Sequence, residues 1–282
     1  MANAMTLPQP RPLGFPLSLL LRVGRITKYS PSWRGYNRLL RLYRRIIPQG
    51  RAIRMKDFDG GIVLDVDVRE NTGISLWHFP HLYEKESREA FCAAIRPGVT
   101  VLDVGANIGL YTLLAAKRGA RVYAVEADPL NAAVLRHHVE INGFREQVTV
   151  FEMAATDGQR TVPLFRNPLN LGESNICSRG EPCGTVPGRM LDSLDLRPID
   201  VCKMDIEGAE LMALTGMQAT LARSPDLTLL VEYAEQHGSG EPLISFLRAH
   251  FASLKALDAA QPAAPGSIPP FCNILATRPK MP

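Results

Sequence analysis

A short apolar run, Val99 to Leu102, ends in Asp103-Val-Gly105-Ala-Asn107-Ile-Gly109; the helix-like Leu110 to Lys117 follows, and then a second apolar run that closes on Glu126. A strand, a glycine turn, a helix, a strand and an acid in that order confine the chain to one supersecondary unit, the first half of a parallel nucleotide-binding α/β layer. In such a unit Gly105 is expected to let the backbone pass close to a ligand. Gly109 is expected to open the helix with no side chain in the way, so that the helix N-terminus faces the ligand. Glu126 is expected to accept hydrogen bonds from both ribose hydroxyls.

Departures from the dinucleotide pattern narrow the ligand. A dinucleotide turn needs G-x-G-x-x-G, but Asn107 and Leu110 stand where the second and third glycines belong, and the close approach to a pyrophosphate is compromised. Asp103 argues the same way. A carboxylate repels phosphate, whereas S-adenosylmethionine has no phosphate and carries an ammonium group that Asp103 is suited to hold, directly or through water. Its carboxylate suits the following helix N-terminus, an interaction worth roughly 0.3 to 1 kcal/mol. The plainer alternative is an ordinary βαβ turn with an incidental acid.

The alternation continues downstream. Strands are expected near 99–104, 121–126, 148–153, 200–205 and 227–232, with helices near 109–118, 129–142, 208–222 and 241–250. This pattern implies a doubly wound, mostly parallel sheet with helices on both faces. Two last strands, about 253–257 and 271–277, bring the sheet to seven and are joined by a loose segment, 259–270. Upstream, 51–56 and 62–68 alternate about Asp59-Gly60-Gly61 as a hairpin, and 84–95 reads as a helix. Between Asn167 and Gly188 the glycines, prolines and polar residues mark an insertion over the cleft, read as a substrate loop. The chain is accordingly divided into a basic N-terminal extension, residues 1–70, and an α/β domain, residues 71–282.

Beyond the glycine turn, the chain carries Tyr83-Glu84, Val125-Glu126, Ala154-Ala-Thr-Asp157-Gly158, Asn170-Leu-Gly172-Glu-Ser174, Met190-Leu-Asp192-Ser193, Lys203-Met-Asp205-Ile-Glu207-Gly208-Ala-Glu210 and Leu230-Val-Glu232-Tyr233. In order and spacing these resemble the FkbM family of S-adenosylmethionine-dependent methyltransferases, a branch of the Rossmann-like class I fold, over roughly residues 72 to 235. The Asp-Ile-Glu-Gly-Ala-Glu element is the most specific part. The resemblance implies O-methylation of a hydroxyl on a sugar, glycolipid or secondary metabolite. It also implies S-adenosyl-L-methionine as cofactor, held by Glu84, Asp103, Gly105, Asn107, Gly109, Glu126, Asp157 and Asp205. Asp157 would sit near adenine and accept from its exocyclic amine; the alternative is a turn-forming Asp before Gly158.

Ligands of such sheets bind beyond the carboxyl ends of the strands. That singles out Asp205 and Glu207 after the fourth parallel strand and Glu232 at the end of the fifth. Methyl transfer to a hydroxyl needs an aligned oxygen and a sink for its proton; alignment supplies roughly 7 to 11 kcal/mol and a positioned base about 10²- to 10⁴-fold. Asp205 is the first candidate for base or positioning group, Glu207 the second and Glu232 the third. Lys203 shares the parity of Asp205 and would neutralise it. His78 and His81 would serve only if the upstream segment folds over the cleft. No metal is assigned: Asp205, Glu207 and Glu232 suit a hard cation, but no histidine cluster accompanies them.

Charge is distributed unevenly. All 12 charged residues before Asp57 are basic, whereas the remainder carries 20 basic residues against 28 acids. Trp33, Tyr36, Leu39, Leu40, Tyr43 and Ile47 recur at helical spacing, with Arg34, Arg38, Arg41 and Arg45 on another face. Such a helix is expected to pack on the domain, to pair with a second subunit in a homodimer, or to contact an anionic membrane peripherally. No run approaches the roughly 18 apolar residues of a membrane span, and Leu17 to Leu21 is too brief and interrupted for a clear signal peptide. A cytoplasmic protein, peripheral at most at the inner membrane surface, is expected. The five cysteines lack any C-x-x-C pair and suggest neither a disulfide framework nor a zinc site. Nucleic acid is not the expected partner, because the basic residues lie outside the cofactor domain. A nucleic-acid methyltransferase using the basic N-terminus and a non-catalytic nucleoside-binding module are the alternatives.

Overall fold

The computed structural model describes residues 9–10, 36–48, 51–167, 170–237, 240–259 and 267–278. The chain divides into two compact units, residues 1–85 with 169–172 and residues 86–168 with 173–282.

In the first unit, β1 (Gln9–Pro10) is followed by α1 (Tyr36–Ile46), β2 (Arg51–Phe58), β3 (Ile62–Val66) and α2 (Asn71–His78). β2 and β3 pair antiparallel as the expected hairpin, turning through Asp59-Gly60-Gly61, and β1 pairs parallel with β2. Alternation puts Met55, Phe58, Ile62, Leu64 and Val66 inside, and Arg54 forks onto the buried Asp65 with two 2.8 Å hydrogen bonds. On α1, Tyr43 and Ile47 are buried while Arg38, Arg41 and Arg45 are exposed together with Leu42 and Ile46. Trp33 and Arg34, and the side chains of Tyr36, Leu39 and Leu40, lie outside the described residues. The Tyr43 hydroxyl is 3.0 Å from Nε2 of His78, itself buried at the end of α2. His78 is therefore a core histidine of this unit. The sequence gives no helical signal for α2 because every residue from Gly73 to His78 is buried, which leaves no polar face to set a period.

The second unit begins with α3 (Lys85–Ala94), whose first N–H groups, those of Glu86 and Ser87, donate to Asp258 at 3.0 and 2.8 Å. The chain continues through β4 (Thr100–Val104), α4 (Leu110–Lys117), β5 (Arg121–Glu126), α5 (Pro129–Ile141) and β6 (Val148–Glu152). After β7 (Ala154–Ala155), β8 (Arg160–Asn167), β9 (Asn170–Asn175, its first three residues counted with the first unit) and β10 (Glu181–Arg189) come β11 (Val201–Met204), α6 (Glu210–Thr215) and α7 (Gln218–Ala222). The chain then completes β12 (Thr228–Ala234), α8 (Gly240–His250), β13 (Ser253–Leu257) and β14 (Phe271–Thr277). Seven strands form one sheet in the order β13-β14-β12-β11-β4-β5-β6. Only β14 runs antiparallel to its neighbours. β4 is buried along its whole length, as a central parallel strand covered on both faces must be. The chain leaves β4 toward β5 and β6, then returns on its other side through β11 and β12. The switch point between β4 and β11 opens a crevice at their carboxyl ends.

Two expectations are corrected. The stretch 208–222 holds two helices rather than one; the first is capped at Gly216, which passes so close to Thr156 that a Cβ there would stand 2.1 Å from its carbonyl oxygen. The segment read as a loop between Asn167 and Gly188 is largely strand. β10 pairs antiparallel with β8, and a second sheet runs β7-β10-β8-β9. Its hydrophobic cluster is small, Ala154, Val162, Leu164 and Val186, and its prolines and glycines resemble loop punctuation. The segment 260–266, part of the expected loose connection, lies outside the described residues. No helix among the described residues is long and apolar enough to cross a membrane.

Candidate functional site

The carboxyl end of β4 meets that of β11 at Gly105. A Cβ there would lie 1.8 Å from the carbonyl oxygen of Asp205, and the residue has φ 79°. The glycine is thus required by the neighbouring strand, a closer constraint than the ligand contact the sequence suggested. Asn107 follows at φ 51°, and Gly109 at φ 97° stands as the N-cap of α4 without a side-chain cap.

Glu126, at the end of β5, holds this turn in place. Its Oε2 accepts from the Asn107 N–H at 2.7 Å and its Oε1 from the Asp128 N–H at 2.8 Å. Burial pushes its carboxyl up to about 7, against the pull of these two backbone donors. Asp103 is buried at the end of β4. Its Oδ2 accepts from Thr112 Oγ1 at 2.6 Å, while its Oδ1 is sealed and has no hydrogen-bond partner among the described residues. Burial raises its pKa and the nearby Lys203 opposes the rise.

Lys203 is itself buried, with Nζ 2.9 Å from Asp205 Oδ2 and 5.1 Å from the centre of the Tyr111 ring. The pairing anticipated from strand parity is formed. After Asp205 the backbone turns through Glu207, at φ 57°, and Gly208, at φ 99°. The buried Glu210 shapes this turn by accepting from the N–H groups of Ile206 and Gly208 at 3.0 and 3.1 Å. Arg179 donates to the Glu207 carbonyl oxygen and lies 3.2 Å from its Oε2. A Cβ on Gly208 would touch both Cβ and carbonyl oxygen of His237 at 3.0 Å, so the missing side chain admits the short 3-10 turn Glu235–His237. His237 Nδ1 comes within 3.9 Å of Glu207 Oε2.

Glu232, in β12, faces the same acids. Burial first, then the charges of Asp205, Glu207 and Glu210, push its carboxyl up to about 10, with Lys203 opposing. One oxygen from Glu207, one from Glu232 and one nitrogen from His237 lie within 4.8 Å of one another. The structure thus brings Asp103, Gly105, Asn107, Gly109 and Glu126 together around one turn and gathers Asp205, Glu207 and Glu232 beside it. Asp157 is half exposed and paired with Arg160 at 2.6 Å. Glu84, at φ 45°, and the exposed His81 belong to the first unit. Arg179 and His237 escaped the sequence reading. The one lies in the segment taken for a loop, and the other is a lone histidine whose partners are set only by folding.

A profile of the FkbM methyltransferase domain matches residues 103–256, more than half of the chain. The chain is 35% identical over 182 residues to the arginine N(omega)-methyltransferase of Streptomyces achromogenes subsp. streptozoticus, covering 62% of this chain and 48% of that protein. It is 28% identical over 125 residues to the ribosomal protein L11 methyltransferase of Caldanaerobacter subterraneus subsp. tengcongensis, covering 44% and 39%. The matches thus span less than half of either relative's length. Among solved structures, the FkbM methyltransferase of Methylobacillus flagellatus KT aligns with a TM-score of 0.43 at 20% identity, covering 67% of this chain and 50% of that one. By the domain match, the chain belongs to the FkbM methyltransferase family, whose methyl donor is S-adenosylmethionine.

Proposed function

We propose that the chain transfers a methyl group from S-adenosylmethionine to a hydroxyl oxygen on a sugar, glycolipid or secondary metabolite. The observation that carries the reading is the gathering of Asp205, Glu207 and Glu232 beyond β11 and β12, beside the glycine turn that follows β4.

The residues at the switch point fit the donor. Asp103 Oδ1 has no hydrogen-bond partner among the described residues and is assigned to the ammonium group, and Glu126 to the ribose hydroxyls. The N-terminus of α4 is assigned to the donor's carboxylate, and Asp157 to the adenine amine. The bound donor supplies an electrophilic methyl carbon on a sulfonium. For the acceptor, Asp205 receives the hydrogen bond of the attacking hydroxyl and takes its proton, with its orientation fixed by Lys203. Glu207, anchored by Arg179, and Glu232 form the acidic wall beside which the acceptor oxygen is aligned.

A second reading rests on the streptomycete relative, an arginine N(omega)-methyltransferase by name: clustered carboxylates also suit a guanidinium. A labelled-methyl screen over nucleotide sugars, glycolipids, free arginine and cell extract separates the two, with products identified by mass spectrometry. O-methylated product supports the first reading and an N-methylated guanidine the second. Absence of label transfer to any acceptor contradicts both. The exposed arginines of α1 support a further part of the reading, peripheral contact with an anionic membrane where a lipid-linked acceptor would be met.

A further inference from the structure

The sequence argued against a metal because no histidine accompanied the three carboxylates. Folding supplies one. His237 is carried beside Glu207 by the close approach of the Glu235–His237 turn to Gly208, and the ligand-type atoms of Glu207, Glu232 and His237 lie within 4.8 Å of one another. Ligands of one ion with bonds of about 2.0–2.2 Å stand about 3.0–3.8 Å apart in the usual geometries, so side-chain adjustments of up to about 2 Å, within reach of rotamer changes, close the set.

A second observation points to an occupant. Glu232 Oε2 is sealed from solvent and has no hydrogen-bond partner among the described residues. Two nearby cations form their close ion pairs with neighbouring acids, Lys203 with Asp205 at 2.9 Å and Arg179 with Glu207 at 3.2 Å. Glu232 is half-buried, but its Oε2 is left among other acids with no ion pair among the described residues, a setting that a bound cation would satisfy.

We propose that Glu207, Glu232 and His237 bind a divalent transition-metal cation. One imidazole nitrogen with two carboxylate oxygens favours Mn2+ or Zn2+ over Mg2+ and Ca2+, which prefer oxygen alone. Asp205 is not a ligand; its carboxylate is held by Lys203. The inference goes beyond methyl transfer, and its test does not require an acceptor.

Untagged full-length protein stripped with chelator is titrated with Mn2+ and with Zn2+, following heat and, for Mn2+, loss of the free-ion paramagnetic resonance signal. One equivalent is expected to bind. Glu232→Gln and His237→Gln should each weaken binding at least about tenfold, while S-adenosylhomocysteine affinity, measured on the same samples as a check of folding, stays within about twofold. No saturable binding of either ion by the wild-type protein overturns the site. Binding of equal strength in both variants, with folding intact, overturns it as well.

Discussion

At the scale of single residues, the account turns on acids with two duties. Glu126 both organises the glycine turn through Asn107 and Asp128 and is assigned to the ribose, so its removal by alanine would confound the two. Glu126→Gln preserves size and is expected to weaken S-adenosylhomocysteine binding by about 1.5 to 3 kcal/mol, the worth of hydrogen bonds to a charged group. Because folding raises this carboxyl from 4.5 to about 7, the folded state favours its protonated form. The resulting stability is complete below pH 4.5 and is lost as pH rises through about 7. Denaturant titrations at pH 5 and pH 8 should therefore show the wild type losing about 2 to 3 kcal/mol relative to Glu126→Gln. A pH-independent difference would remove the buried-acid reading. Asp205→Asn is expected to lower turnover on the true acceptor at least about tenfold while cofactor affinity holds within a few-fold. Unchanged turnover would pass the role to Glu207 or Glu232. The placement of these residues at strand ends was legible because each closes an apolar run in an α/β pattern. The Gly105–Asp205 contact and the arrival of His237 were not, since both depend on non-adjacent strands meeting.

At the scale of elements, Asp192 shows how a motif that carries the family resemblance can serve the fold. Its carboxylate accepts from Ala219 N at 2.8 Å and from Thr220 N and Oγ1 at 2.7 Å each, capping the start of α7. Asp192→Ala should cost about 1 to 2 kcal/mol, the usual value of a lost cap, without altering cofactor affinity. A loss of affinity at intact stability would give it a role in the site. The seven strands were readable because central parallel strands are nearly continuous apolar runs. The second sheet was hidden because it buries little and contains Pro163, Pro182, Pro187 and Gly184, residues that elsewhere mark turns. On α1, exposed Arg38, Arg41 and Arg45 beside exposed Leu42 and Ile46 lead us to expect flotation with anionic liposomes at low salt. Reversal of the three arginines to Glu should abolish it. Wild-type protein that ignores such vesicles would leave the basic face merely solvated.

At the scale of the whole molecule, charge and fold are partitioned along the chain. The first 56 residues carry no acid, and the rest carries 28 acids against 20 basic residues, several of the acids converging at the switch point of the large sheet. This crevice is assigned to S-adenosylmethionine rather than to a dinucleotide. The most direct measurement is calorimetric titration of the wild-type protein with S-adenosylhomocysteine and, separately, with NAD. One saturable site for S-adenosylhomocysteine and none of comparable affinity for NAD is the expected result. No binding of S-adenosylhomocysteine, or NAD bound as tightly, would contradict the account.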